Sequence, residues 1–333
     1  MELDVNNQGK TPLIQHPDIS ALGYQVIREL AKNSEGRRIT YLACDCKTGE
    51  QVVIKEFCCA SVDVEWSGFK AYQREANILQ QLNHPRIPRY INSLETATGC
   101  YLVQEYKNAL SLGTKRNWSP EEVKQIAISI LEILVYLQQQ IDPIIHRDIK
   151  PENILVDEQL NAYLVDFGLA RVKGAKMPLT SLVAGTPGFM PPEAESGYTL
   201  SFASDLYSLG ATLLCLLTDT RSVDIHKLID HGDRFHCQKL LPHLNLRFRS
   251  WLMGMVEPKW QYRFAHAADA LAILQPIQVT GTPTMIELLT TTVKLRRQTM
   301  FIGLAMICIL AIAGTNLMLS QQSAAQQLQE TDR

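Results

Sequence analysis

The run His146-Arg147-Asp148-Ile149-Lys150-Pro151-Glu152-Asn153, followed by Asp166-Phe167-Gly168, places a possible proton acceptor, cations and two hard-oxygen ligands within a short stretch of chain. Phosphoryl transfer from a nucleoside triphosphate draws on such a set. The transferred group spreads negative charge over its oxygens, so catalysis is mostly positioning and charge neutralisation. One Asp orients the attacking hydroxyl, while a second Asp and an Asn hold a divalent cation through oxygen donors. Ile154-Leu155-Val156 and Ala162-Tyr163-Leu164-Val165 read as two short buried strands bounded by polar turn residues. They would pin Asn153 and Asp166 at strand ends facing one cleft.

The two runs resemble the protein-kinase signature H-R-D-x-K-x-x-N followed by D-F-G. Lys150, two places after Asp148, has the form seen in serine/threonine kinases. The resemblance extends from about Tyr24 to about Leu274 and is to eukaryotic-like (Hanks-type) serine/threonine protein kinases of the membrane-anchored bacterial type. It implies an α+β, bilobal fold: a small antiparallel β-sheet lobe with one helix, to about residue 107, and a larger helical lobe over 108–275. It implies ATP and Mg²⁺ as cofactors, with Mn²⁺ as a substitute. By the same resemblance Asp148 is the catalytic base, Lys150 contacts the transferring phosphate, and Asn153 and Asp166 hold the metal.

Such a site also needs a Lys for the α- and β-phosphates, held by a Glu on a helix. Gln51-Val52-Val53-Ile54-Lys55 reads as a strand of strong β propensity, with Val53 and Lys55 on one face. It resembles the family's V-A-I-K strand, with the larger Val53 in the Ala place against adenine. Phe69 to Leu82 reads as a helix, because Phe69, Tyr72, Ala76 and Leu79 recur at helical spacing. Glu75 on that helix is the expected partner of Lys55; Glu65 lies too close to the preceding strand. Tyr101 to Tyr106 resembles the last strand of the small lobe and the hinge. Gln104 stands as gatekeeper, and backbone groups around Glu105 and Tyr106 face adenine.

The glycine-rich loop departs from the family's G-x-G-x-x-G-x-V. Between Leu30 and Tyr41 only Gly36 survives, and the stretch is about two residues too long. Asn33 tolerates left-handed backbone and is a partial substitute for a glycine. Lys32, Arg37 and Arg38 are read as solvated turn residues rather than phosphate ligands.

Gly185 to Glu193 resembles the end of a kinase activation segment, with Phe189 and Pro191 in place of Tyr and Ala. Thr186 is expected near Asp148 and Lys150, and Glu193 is expected to pair with Arg263 in the large lobe. Arg147 before the catalytic Asp accompanies, in the family, control by loop phosphorylation. A phosphate adds roughly −1.5 to −2 charge and pairs well with Arg. Thr180 and Ser181 are the acceptors favoured by position.

The helices that must carry these loops are legible. Ser119-Pro120-Glu121-Glu122 gives an N-cap, a Pro at the first helical position and a capping-box Glu. Val123, Ile126, Ile130, Leu134 and Leu137 then form an apolar stripe. Asp205 to Gly210 opens a hydrophobic helix through Leu217, where Asp205 would brace the catalytic loop.

The 333 residues are 46% hydrophobic and 20% charged, which supports an ample core. A net charge of −2 argues against bulk nucleic-acid binding. Eight cysteines without dense even spacing read as reduced thiols; Cys44, Cys46, Cys58 and Cys59 cluster but lack structural-zinc spacing. Asp4, Asn6, Asn7 and Gln8 interrupt any apolar run, so no signal peptide is expected, and residues 1–23 read as a flexible lead.

Met300 to Leu319 is a 20-residue run without charge. As a helix it would span roughly 30 Å, the hydrocarbon thickness of a bilayer. Lys294, Arg296 and Arg297 precede it, and the tail over 320–333 has only Arg333 as a cation. The positive-inside rule therefore puts the 24–275 domain in the cytoplasm and the tail across the cell membrane. Residues 276–299 read as a linker and juxtamembrane segment. Ala311 and Thr315 form a small-xxx-small pair, a hint of homodimerisation.

The leading expectation is a membrane-anchored serine/threonine kinase acting on protein substrates. A pseudokinase scaffold, motivated by the degraded glycine loop, is the rival. A small-molecule phosphotransferase of the antibiotic-kinase type is disfavoured by the P-P-E segment and by Lys150.

Overall fold

The computed structural model describes residues 19–32, 38–58, 62–96, 99–114, 117–174, 185–196, 200–230, 234–235 and 240–280. Contacts divide the chain between Thr280 and Gly281, and every described residue belongs to the first unit. Gly36, Thr180, Ser181 and the apolar run 300–319 lie outside the described residues. Among the described residues no helix is long and apolar enough to cross a membrane.

Five antiparallel strands build the first layer: β1 (Tyr24–Lys32), β2 (Arg38–Asp45), β3 (Gln51–Cys58), β4 (Tyr90–Glu95) and β5 (Gly99–Glu105), in the order β1-β2-β3-β5-β4. Alternation divides β3 between two cores. Val52 and Ile54 pack with Tyr24, Ala43, Tyr101 and Val103 on one face, while Phe57 joins Tyr72, Leu79 and Leu102 on the other. Val53 and Lys55 share the second face. The register sets Lys55 opposite both Thr40 and Leu102, and Val53 opposite Gln104.

Two extra residues are absorbed inside β1. Its register to β2 skips Ile27 and Leu30, each a bulge that bends the strand. Part of the excess length expected in the glycine-loop region is thus taken up by strand bulges.

Helix α1 (Val62–Gln81) crosses the sheet between β3 and β4. It begins seven residues before the expected start at Phe69. The added residues include Val62, Val64, Ser67 and Gly68, which are poor helix formers. Once a helix exists, each further residue adds a hydrogen bond at little nucleation cost, so propagation outweighs their propensity. Glu65 consequently lies in the first turns of α1.

The larger layer is mostly helical: α2 (Pro120–Gln138), α3 (Pro192–Glu195), α4 (Phe202–Leu217), α5 (Leu246–Met255) and α6 (Ala267–Leu274). At the start of α2, Glu122 N–H donates to Ser119 Oγ at 3.3 Å, and Ser119 N–H donates back to Glu122 Oε2 at 2.9 Å. The expected stripe from Val123 to Leu137 is buried, each large side chain contributing about 1.5–3 kcal/mol of transfer free energy. Helix α4 is buried from Phe202 to Leu216 and so runs through the core on all sides. It starts three residues before Asp205, where Ser201 N–H donates to Ser204 Oγ at 3.0 Å.

Short strands carry the loops between these helices. β6 (Leu110–Ser111), β8 (Ile154–Val156) and β9 (Ala162–Leu164) form one small sheet; β7 (Ile144–Ile145) pairs with β10 (Arg171–Val172). The catalytic-loop motif thus hangs between β7 and β8, and Asp166-Phe167-Gly168 between β9 and β10.

Candidate active site

Lys55 projects from β3 into a gap closed by α1. Its ammonium donates to Glu75 Oε1 and, at 3.3 Å, to Asp166 Oδ1. Lys55 and Glu75 are buried, the latter completely. Helical spacing explains the reach: Tyr72, Ala76 and Leu79 bury the same flank of α1 and turn Glu75 toward the sheet.

Asp148 lies on the opposite wall. Its Oδ1 accepts the Thr186 hydroxyl at 2.8 Å, and its Oδ2 accepts Asn153 Nδ2 at 2.8 Å. Lys150 Nζ donates to Thr186 Oγ1 at 2.7 Å and lies 3.1 Å from Asp148 Oδ2. Thr186 therefore ties the Asp148 carboxylate and the Lys150 ammonium together.

The loop that presents Asp148 is held from below. Asp205 accepts His146 N–H and Arg147 N–H, each at 2.8 Å. Arg147 has φ 73° and Asp166 φ 66°, left-handed conformations that cost a non-glycine residue and persist where surroundings over-determine them. Phe167 is buried and meets the His146 ring edge-on, with centroids 4.7 Å apart. That packing directs Asp166 into the cleft.

Burial sets the ionisation of this layer. It pushes His146 down to about 4, against the fields of Asp148 and Asp166, so the ring is neutral near pH 7. It pushes Asp205 up to about 6, although two backbone N–H groups and Arg147 favour the carboxylate. Burial also opposes ionisation of Asp166, but the cations Lys55 and Arg38 overcome it and hold that carboxyl well below its usual range.

Asp166 and Asn153 are chemically suited to a divalent cation. Asp166 is held as a carboxylate, and the Asn153 amide nitrogen is spent on Asp148 O and Oδ2, which leaves the carbonyl oxygen as its donor. Among the described residues no cluster of three His, Cys, Asp or Glu side chains forms. Mg²⁺ needs none, since it binds through one or two protein oxygens together with substrate phosphates and waters.

Lys55, Lys150, Asn153, Asp166 and Thr186 line one cleft of about 2060 Å³, which also takes in Val53, Gln104, Glu105 and Tyr106. The walls that the sequence left unassigned include Leu30, Thr40, Leu155 and Val165. Leu155 carried a usable signal. It is the half-exposed middle of a strand whose neighbours Ile154 and Val156 are buried.

Arg38 corrects the expectation of a solvated turn residue. It opens β2, and its guanidinium forms a two-pronged pair with Asp166: Nη1 to Oδ1 at 2.8 Å and Nη2 to Oδ2 at 2.6 Å. Lys32 ends β1 exposed, on the cleft wall. Arg37 lies outside the described residues.

Arg147 belongs to a second basic group. Arg74, Arg147 and Arg171 donate to successive carbonyls, Gly168 O at 3.2 Å, Leu169 O at 3.4 Å and Ala170 O at 2.6 Å. Burial first, then the charges of Arg74 and Arg147, lower Arg171 to about 9. Farther off, Arg263 and Glu193 form a buried two-pronged pair with both bonds at 2.7 Å.

The sequence model of the protein kinase domain family matches residues 24–261. Serine/threonine-protein kinase D of Synechocystis sp. is 35% identical over 215 residues, covering 60% of this chain and 42% of that protein. Serine/threonine-protein kinase C of the same organism is 34% identical over 212 residues, 59% of this chain and 39% of that one. A probable LRR receptor-like serine/threonine-protein kinase of Arabidopsis thaliana is 35% identical over 170 residues, 48% and 31% of the two chains. The match spans less than half the length of each of these relatives.

Proposed function

The chain belongs to the protein kinase family, and from that premise we propose that it transfers the γ-phosphate of ATP to serine and threonine hydroxyls of proteins. The observation that carries the reading is the continuous linkage Glu75–Lys55–Asp166 beside a cleft lined by Lys150, Asn153 and Thr186, the last two bonded to Asp148.

Lys55, fixed by Glu75, binds the α- and β-phosphates. Val53, Leu155 and Thr40 line the slot for the adenine ring. Glu105 N–H is spent on Arg89 O at 2.9 Å, so the base edge meets the Glu105 carbonyl and the backbone that follows. Asp148 takes the hydroxyl proton as the substrate oxygen bonds to the γ-phosphorus and the bond to the β–γ bridging oxygen breaks. Lys150 faces the transferring oxygens. Asp166 and Asn153 would hold Mg²⁺, or Mn²⁺ in its place, which would supply neutralising charge to the phosphates. Phe167, buried edge-on against the His146 ring, fixes the backbone that carries Asp166.

The buried Lys55–Glu75 pair and inward Phe167 favour catalysis over a scaffold role, since both are requirements of phosphoryl transfer. Phosphoamino-acid analysis of a generic protein substrate labelled from radioactive ATP tests the reading. Phosphoserine or phosphothreonine that disappears with Asp166→Ala is expected. Label confined to small molecules, or equal label with Asp166→Ala, contradicts it.

Control by phosphorylation at Thr180 or Ser181 is a part of the same reading. Its support is the convergence of Arg74, Arg147 and Arg171, whose mutual repulsion an anion would relieve. Mass spectrometry of protein expressed with and without Asp148→Ala tests self-modification: equal phosphate in both rules it out. Anchoring in the cell membrane through 300–319, with residues 24–275 cytoplasmic, rests on the uncharged run and its basic flank. A chain ending before Met300 should leave the membrane fraction; if it stays there, the anchor lies elsewhere.

A further inference from the structure

Both oxygens of the Asp166 carboxylate are engaged by Arg38. Charge-assisted, two-pronged pairs of this kind are the strong form of the hydrogen bond. The surroundings favour the guanidinium. Glu75 and Asp148 add their fields to that of Asp166. Gly168 leaves the space that it fills: a Cβ there would lie 3.2 Å from Arg38 Nη1 and 3.3 Å from Asp166 Oδ1. The Asp166 side chain is only 14% exposed, so solvent screens the pair weakly.

A cation bound by Asp166 must use the same oxygens. It also meets a fixed positive charge less than 3 Å from them. Lys55 does not conflict in the same way, because it reaches only Oδ1, at 3.3 Å, and is drawn away by Glu75. Arg38 lies at the mouth of the cleft. It is the first residue of β2, and its side chain is 30% exposed at the edge of the cleft, so it has room to swing out.

We propose that Arg38 is a built-in competitor of the divalent cation for Asp166, so that the metal binds only as the guanidinium is displaced. Arg38 thereby sets the metal concentration at which the cleft loads. In the metal-free protein it supplies the counter-charge that keeps three neighbouring carboxylates, Glu75, Asp148 and Asp166, from repelling one another. This inference rests on the reading of Asp166 as the metal ligand, and the test separates the two.

Binding of Mn²⁺ to the nucleotide-free full chain is measured by the loss of free-ion electron paramagnetic resonance signal. The comparison covers the unaltered chain, Arg38→Ala, Arg38→Gln, Arg38→Lys and Asp166→Ala. With the competitor removed, Arg38→Ala and Arg38→Gln are expected to lower the half-saturating Mn²⁺ concentration about tenfold. Arg38→Lys, which keeps the charge but loses the fork, should shift it less and in the same direction. If removing Arg38 destabilises the fold, Arg38→Lys alone carries the test. Half-saturation that is unchanged or higher in the folded Arg38 variants overturns the competition. An affinity unaffected by Asp166→Ala overturns the ligand assignment itself, and the competition with it.

Discussion

The Thr186 hydroxyl donates to Asp148 Oδ1 at 2.8 Å and accepts from Lys150 Nζ at 2.7 Å, so one side chain fixes the separation of the Asp148 carboxylate and the Lys150 ammonium. Thr186 lies 38 residues beyond Asp148 in the chain. Two segments far apart in the chain are thereby joined at the Asp148 carboxylate.

Thr186→Ala should leave stability nearly unchanged and lower kcat by about tenfold to hundredfold, or ~1.4–2.7 kcal/mol of barrier. KM for ATP should move little, because Thr186 bonds to Asp148 and Lys150 rather than to Lys55. Thr186→Ser should restore most of the rate. Steady-state kinetics on the three proteins checks this; a rate for Thr186→Ala equal to that of the unaltered chain contradicts it.

The buried Lys55–Glu75 pair yields a different pattern. Lys55→Met leaves the Glu75 carboxylate buried without its counter-ion, which costs roughly 3–5 kcal/mol. Adding Glu75→Leu should recover much of that stability while activity stays lost. Urea midpoints and a transfer assay on the single and double variants separate the structural role from the catalytic one. Recovery of both together contradicts the assignment of Lys55 to phosphate.

Arg263 and Glu193 are also buried and two-pronged, but neither lines the cleft. Arg263 further donates to Ala203 O at 3.2 Å and lies over the Tyr207 ring at 4.8 Å. Arg263→Ala should cost about 3–5 kcal/mol, and Arg263→Lys most of that, since an ammonium cannot reproduce the fork. Both variants should retain normal KM for ATP in the folded fraction. Chemical denaturation with parallel nucleotide titration is the check.

The His146 and Asp205 shifts make opposite contributions over one pH range. The folded value of His146 is about 4 against an ordinary 6.5, so the unfolded chain binds the extra proton between those values. Its stabilising contribution is therefore present above pH 6.5 and lost as pH falls to 4. Asp205 is raised to about 6 from 3.8, so its contribution is present below pH 3.8 and lost as pH rises through 6. The two nearly cancel in the unaltered chain. His146→Leu should expose the Asp205 limb, with stability falling as pH rises from 4 to 6. Asp205→Asn should expose the His146 limb, with stability falling as pH drops from 6.5 to 4. Each limb is worth about 3 kcal/mol. Urea midpoints across pH 4–7 check the signs, and parallel profiles for both variants contradict them.

The sequence made the contiguous motifs legible. Asp148, Lys150 and Asn153 lie within six residues, and β8 and β9 fall on the runs expected for them. Period-two alternation put Val53 and Lys55 on one face of β3, and helical spacing picked out Glu75. The hidden features depend on distant pairing. Arg38 meets Asp166 across 128 residues, and a lone Arg after a turn carries no local sign of that partner. Arg74 and Arg171 join Arg147 only because α1 and β10 approach the same stretch of backbone. Bulges at Ile27 and Leu30 have no composition signal, because they are set by the register to β2.

Transfer of radiolabel from the γ-phosphate of ATP to a generic protein substrate, by the full chain with Mg²⁺, tests the central claim most directly. The unaltered chain should exceed Asp148→Asn and Asp166→Ala by about 10²–10⁴-fold, the range expected when a positioned base is lost. Equal incorporation by all three proteins, across several substrates and with Mn²⁺ as well as Mg²⁺, would contradict it.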